Sequence, residues 1–260
     1  MDIIVLLKQV PATESVISIA GDGQHIQTEN LKWVMNPYDE FAVEEALQIK
    51  QKQGGGSVTL LSVGTDKTVE ALRTGLAMGA DKAILVKDPA ADEADGLGIA
   101  RILAAVIKTL DCDLILAGQR AVDDDAYLVG PAVAERLGIP HIAMVIKEEV
   151  TDGAVRCTRT IDGGTLVQDV PLPALLTTQR GLNEPRYASL PGIMKAKKKP
   201  IDTRSLADIG LDAGAVAPKV KVTALKTPPE RTGGRIIEGD SAQAKAAELV
   251  KVLHEEAKVI

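Results

Sequence analysis

Aromatic side chains are scarce. Trp33, Tyr38, Phe41, Tyr127 and Tyr187 are the five rings in 260 residues. Proteins that read single-stranded nucleic acid stack bases on aromatic platforms, so this composition argues against that class. The net charge of −6 argues equally against a general binder of phosphate backbones. Only two cysteines are present, Cys112 and Cys157, far apart and outside any CxxC pair. That excludes a disulfide framework and a structural zinc site. His25, His141 and His254 are too scattered for a histidine-based metal centre, so no metal is expected. No apolar run reaches membrane-spanning length. The opening MDIIVLLKQV lacks the basic start and cleavage site of a signal peptide. The expectation is a soluble protein of a reducing compartment, consistent with a bacterial cytoplasm.

Catalytic motifs are missing too. The chain has no GxGxxG after its first strand, no GxxxxGK[ST], no GxSxG and no HExxH. No nucleophile–base–orienter set is apparent, so no residue is expected to be catalytic.

What is there is a regular alternation over roughly the first 145 residues. Strands are expected at Asp2–Lys8, Ser57–Val63, Ala83–Lys87 and Asp113–Gly118. Between them run helical patterns: one opened by Asn36-Pro37, with Asp39 able to bond back to the cap; one from Asp66 to Gly79; one carrying Leu97, Ala100, Ala104 and Ile107; and one over Tyr127–Leu137. Alternation of this kind implies a mainly parallel sheet. After His141 the turns Asp152-Gly153 and Asp162-Gly163-Gly164 imply antiparallel hairpins, and Ala174–Thr178 reads as a last short strand. From Gln179 the chain is irregular until a terminal helix over Ser241–Glu256. The division expected is an α/β domain over 1–200 and an arm over 201–260 with little core of its own, suited to packing on a partner subunit.

Two segments carry candidate chemistry. In Leu114–Gly130 a strand ends at Gly118, a loop runs through Asp123, Asp124 and Asp125, and a helix begins. Ligands of open parallel sheets bind beyond the carboxyl ends of the strands, and free amides at a helix start suit a phosphate. Two readings stay open: the aspartates form only a solvated cap, or one caps the helix while another faces a ribose or the backbone. The loops at Lys8–Pro11, Met35–Tyr38 and Val63–Asp66 belong to the same sheet edge. The second segment, 179–200, sets Leu190 and Met194 beside Lys195, Lys197, Lys198 and Lys199, an apolar anchor next to a cationic patch that suits an acidic partner.

At these residues the sequence resembles the β subunit of electron transfer flavoproteins. The resemblance is carried by QRGLNEPRYASLPGIMKAKKKPI (179–201), MNPYDEFAVEEAL (35–47), LRTGLAMGADKAILV (72–86), GQRAVDDDAYLVG (118–130) and PPERTGG (228–234). It implies a Rossmann-like α/β domain with an antiparallel extension and a long C-terminal arm that wraps an α subunit. The redox-active FAD then lies mainly on that α subunit, near the interface, and this chain holds a structural AMP. By residue matching, the nucleotide contacts are Leu6, Asn36, Pro37, Tyr38, Asp39, Val63, Gly118, Gln119, Arg120, Ala121, Val122, Asp123, Asp124, Asp125, Ala126, Tyr127, Leu128 and Val129. The partner-recognition residues are Arg186, Tyr187, Leu190, Pro191, Ile193, Met194, Lys195 and Lys198; the two lysines match positions methylated in some members.

The function implied is to carry electrons from acyl-CoA dehydrogenases to a membrane electron transfer flavoprotein quinone oxidoreductase. Bifurcating members hold a second FAD in place of AMP, with a loop reading Gly-Asp-Thr and then Gln-Val-Gly-Pro. Here Asp124, Ala126 and Leu128 stand for the Gly, Thr and Gln, which favours AMP. Tyr127 and Leu128 also depart from the usual AMP pattern, so an empty site is a further alternative. In another class stands a free adenine-nucleotide-binding regulatory module.

Overall fold

The computed structural model describes residues 1–229 and 233–260, so PPERTGG lies in part outside the described residues. Met1–Ala224 form one compact unit and Leu225–Ile260 a second.

The first unit is built on a nine-stranded sheet of order β11-β5-β4-β1-β6-β10-β7-β8-β9. Its strands are β1 (Asp2–Leu6), β4 (Ser57–Val63), β5 (Lys82–Val86), β6 (Leu114–Gly118), β7 (His141–Thr151), β8 (Ala154–Ile161), β9 (Gly164–Pro171), β10 (Ala174–Thr178) and β11 (Asp202–Arg204). All pairings from β11 to β7 are parallel, and β7-β8-β9 are antiparallel. A two-stranded ribbon, β2 (Gln9–Pro11) with β3 (Trp33–Met35), stands apart. The helices are α1 (Pro37–Lys52), α2 (Thr68–Met78), α3 (Pro89–Asp92), α4 (Gly96–Ile107), α5 (Val129–Leu137), α6 (Leu190–Lys198) and α7 (Ala213–Val216). The central strands are buried along nearly their whole length because helices cover both faces. One core joins β1, β4 and β6 to α1, α2 and Ala196 of α6. The other joins the opposite face to α4, α5, Leu206 and Val216.

The α/β class and the mainly parallel sheet agree with the sequence reading, as do both hairpin turns. Several details differ. The strand expected at Ala174–Thr178 is not terminal in space; β10 inserts between β6 and β7. The helix expected from Tyr127 starts at Val129, because Asp125 and Tyr127 are left-handed at φ 51° and 54°. The helix expected from Asp66 starts at Thr68. In α4, Ala100, Ala104 and Ile107 are buried as expected, but Leu97 faces outward and Ile102, Leu103 and Val106 join the packing. The irregular stretch after Gln179 contains α6, and the compact unit runs past residue 200 to Ala224. There β11 extends the sheet from β5 while Leu206 and Val216 fill the second core.

The second unit contains α8 (Ala242–Glu255), capped by Ser241 Oγ on the Ala244 amide and without a buried residue. Arg235 and Glu256 form an ion pair within it. Among the described residues, no helix is long and apolar enough to cross a membrane.

Candidate functional site

A cavity of about 490 Å³ opens where β1, β4 and β6 end, the position open parallel sheets use for ligands. That volume lies within the range typical of small-molecule sites. Leu6, Leu61, Val63, Ile99 and Leu103 give it apolar walls, and the 118–130 loop closes one side.

The floor is organised by Asp39. Burial pushes its carboxyl up to about 7, while the donors around it act in the opposite sense. Asp39 Oδ2 accepts from the Lys8 amide at 2.7 Å; Oδ1 accepts from the Gly118 amide at 3.1 Å and from Asn36 Nδ2 at 2.9 Å. Three strand- and helix-end donors thus converge on one side chain, which ties β1, β6 and α1 together. The expected return bond from Asp39 to its cap residue exists, but through the Asn36 side-chain amide. Asn36 itself makes no side-chain cap on α1. It reaches across instead, donating to the Arg120 carbonyl at 2.9 Å and accepting from the Val122 amide at 3.2 Å. This fixes the start of the acidic loop.

The aspartates of that loop do not cap α5. Its cap residue is Leu128, and the helix start has no side-chain acceptor. Leu128, Val129 and Gly130 line the cavity, so an uncapped helix N-terminus borders it. Asp123 and Asp124 are held by Lys8, whose Nζ donates to them at 2.8 and 3.0 Å. Burial works against the Lys8 charge, yet the two aspartates outweigh it and raise its pKa. Asp125 pairs with Arg120, which also donates to Tyr38 Oη at 3.0 Å and lies over the Tyr38 and Tyr127 rings. The hydrogen bond from Arg120 to Asp125, then that to Tyr38, raises the Arg120 pKa. The charge of the acidic loop is therefore met by two cations of the same chain. Gln119 Oε1 accepts from the Met144 amide at 2.8 Å and from Thr177, which links the loop to β7 and β10.

Of the nucleotide residues read from the sequence, Leu6, Asn36, Asp39, Val63, Gly118, Gln119, Arg120, Ala121, Asp124, Ala126, Tyr127, Leu128 and Val129 line the cavity. Pro37, Tyr38, Val122, Asp123 and Asp125 do not; Tyr38, Asp123 and Asp125 support the loop from outside through Arg120 and Lys8. The sequence reading missed the wall formed by Ala91, Asp92, Ala94, Gly96, Ile99 and Leu103. Its small residues, in DPAADEADG, were the available signal. Burial pushes the Cys112 and Cys157 thiols up to about 12. No group of three or more His, Cys, Asp or Glu among the described residues is arranged to hold a metal ion.

The second candidate segment forms a pinned helix. Ser189 Oγ caps α6 on the Gly192 amide, and Pro191 occupies its first turn. Ala196 is buried against α2, and Gly192 lies so close to it that a Cβ would approach the Ala77 carbonyl to 2.5 Å. Arg73 donates to the Ala196 and Lys199 carbonyls, and Lys199 Nζ donates to the Ala80 carbonyl at 2.6 Å. The other face stays open: Leu190 is 79% exposed and Met194 64%, one turn apart, with Ile193 beside them. Lys195 and Lys198 are exposed on the same helix, and Tyr187 is fully exposed just before it. Arg186 forms a bidentate pair with Glu44 at 2.7 and 2.9 Å while its side chain stays partly exposed. It ties the segment to α1 and still borders the solvent.

Known proteins give a consistent comparison. The family described as Electron transfer flavoprotein domain matches residues 24–209. The electron transfer flavoprotein subunit beta of Bacillus subtilis is 42% identical over 261 residues, covering all of both chains. That of Bradyrhizobium diazoefficiens is 40% identical, again over the full length of both. The human protein of the same name is 38% identical across 91% of this chain and 92% of its own. With the family match spanning most of the sequence and relatives aligned end to end, the chain belongs to the electron transfer flavoprotein family, as a β subunit.

Proposed function

We propose that this chain is one half of a heterodimeric electron carrier of the bacterial cytoplasm. Its α subunit holds most of the FAD, and this subunit holds AMP in the cavity at the ends of β1, β4 and β6. When bound, the flavin supplies the electron transfer; this chain's residues bind, position and recognise. Electrons come from acyl-CoA dehydrogenases and leave to a membrane electron transfer flavoprotein quinone oxidoreductase.

The observation that carries the nucleotide assignment is the uncapped α5 N-terminus bordering a cavity with apolar walls. Its free amides suit one phosphate, and the walls suit a flat base. The acidic loop does not oppose this, because Lys8 and Arg120 take up its charge. Leu190 and Met194, on a helix fixed by Arg73 and Ala196, suit insertion into an apolar pocket of a dehydrogenase. The lysines beside them suit an acidic rim. The arm from Leu225 onward, α8 included, is assigned to contact with the α subunit.

Holding a second FAD in this subunit is the competing reading. The pairing of Asp124 with Lys8 favours it to this extent: the aspartate is a weaker obstacle to a second phosphate than its charge alone suggests. A count of nucleotides decides. The chain is co-expressed with an α subunit, the complex is denatured, and FAD and AMP are quantified. One FAD and one AMP per heterodimer is expected. Two FAD without AMP establish the bifurcating type. One FAD with no AMP, and none taken up on adding it back, means an empty site. A stable flavin-free monomer that ignores an α subunit overturns the carrier reading in favour of a free regulatory module.

A further inference from the structure

Beneath the segment that leads into α6 lies a group of polar side chains that the nucleotide site does not use. Glu45 of α1 and Glu148 of β7 are both buried, at 3% and 8% exposure. Asn183 Nδ2 donates to Glu45 Oε2 at 2.6 Å and to the Phe41 carbonyl at 3.0 Å. Glu148 Oε1 accepts from Lys52 Nζ at 3.1 Å. Glu148 Oε2 is buried without a donor. Glu148 is also a side-chain hydrogen-bond partner of Glu45, so two carboxyls share a buried site with one lysine. On the adjoining turn of α1, Glu44 is already committed to Arg186 and to Gln48. On the facing strand β8, buried Cys157 stands in register with Glu148, and burial, then Glu148, pushes its thiol up to about 12, so it stays neutral across the same range.

The geometry points to a single proton held between Glu45 and Glu148, which fastens the segment ahead of α6 to the core and is released as the solution turns alkaline. With that proton, Glu45 offers Glu148 Oε2 the donor it otherwise lacks and still accepts from Asn183. Without it, two carboxylates face each other and Lys52 balances only one. Burial, then the neighbouring Glu148, raises the Glu45 pKa, in keeping with this arrangement. A carboxyl whose pKa is higher in the folded than in the unfolded chain stabilises most below its ordinary range. The contribution is lost as pH rises through the folded value. Glu45 and Glu148 are thus positioning residues for the recognition helix, and their role there rests on the reading of α6 as a docking element.

The test is hydrogen exchange on the full-length purified protein, with peptides from 180–189 followed across neutral pH. Rates are corrected for intrinsic base catalysis, and β6 serves as the internal reference. Exchange in the segment, the Arg186 amide included, is expected to rise about tenfold beyond the intrinsic trend for each unit of pH over which the proton is lost. Glu45→Gln, whose amide both donates and accepts, is expected to flatten the profile. Glu148→Gln serves the same purpose if the first variant does not fold. A flat profile in the natural sequence overturns the proposal, as does a rise that persists in either variant. The readout needs no partner, so a failure of dehydrogenase docking at Leu190 leaves it intact, and the converse also holds.

Discussion

The Gly118 amide donates to Asp39 Oδ1 at 3.1 Å, and a Cβ on residue 118 would overlap that same oxygen. The end of β6 and the first turn of α1 are in contact here, backbone against side chain. The Tyr38 Cβ and carbonyl carbon would also lie within 2.8 and 2.9 Å of the added atom. Gly118→Ala is therefore expected to destabilise the fold by about 1–3 kcal/mol through overpacking. It should also reduce retained nucleotide. Urea unfolding and a nucleotide count on the purified variant measure the two effects.

Asp39 carries a pH signature of its own. Its pKa rises from an ordinary 3.8 to about 7, so its contribution is full at low pH and is lost as pH climbs between those values. Asp39→Asn should remove that decline. It should also lower stability by about 1–3 kcal/mol, because one of the converging N–H donors then meets an NH2 group. Thermal unfolding at a series of pH values in both proteins tests this; an unchanged slope in the variant would refute it.

Lys8 neutralises a pair of neighbouring aspartates. Lys8→Met leaves Asp123 and Asp124 without their cation at the cavity edge. Each pair is partly exposed, so the expected loss of stability is about 0.2–1 kcal/mol per pair, shrinking as salt is added. Nucleotide affinity should fall further than stability does, because the loop that carries the α5 start is left repelling itself. Equilibrium binding of AMP at low and high salt separates these effects.

Leu190 is exposed, so removing its side chain has little to disturb in the isolated subunit. Leu190→Ala is expected to change stability by less than about 0.5 kcal/mol. It should weaken productive encounter with a dehydrogenase by an amount comparable to burying one leucine, about 1.5–3 kcal/mol. Bound flavin should be unchanged. Steady-state electron transfer with the natural dehydrogenase measures this, and normal coupling would count against the docking role.

Much of this arrangement was readable from residue order. Strand ends, helix starts and the Asp-Gly turns obey local rules, and so the α/β alternation and both hairpins were visible in sequence. The places where reading failed share a cause: distant contacts decided them. Tyr127 looks helical by spacing, yet the backbone at Asp125 and Tyr127 turns left-handed where Arg120 engages Asp125 and lies over the Tyr127 ring. The helix α6 has apolar residues at helical spacing, Leu190, Ile193 and Met194, but leaves them exposed; it buries only Ala196 and is held by Arg73 and Lys199 instead. In the cavity, Asn36 and Asp39 were recognised as a helix start. Their larger role, binding the Arg120 carbonyl and the Gly118 amide some 80 positions away, has no local trace. The wall at 91–96 left only a weak trace for the opposite reason: small side chains that merely leave room resemble any loop.

The insertion of β10 between β6 and β7 has a consequence for synthesis. A chain emerging from the ribosome completes β6 and the β7-β8-β9 hairpins before the strand that joins them exists. Until Thr178 has emerged, both flanking strands present unpaired edges. The closing step must also bring Ala174 beside Leu114 across a long stretch of chain, which is intrinsically slow. The nascent subunit is thus most prone to aggregation while its sheet stands open at the centre, and chains cut short before residue 178 should be recovered as insoluble material.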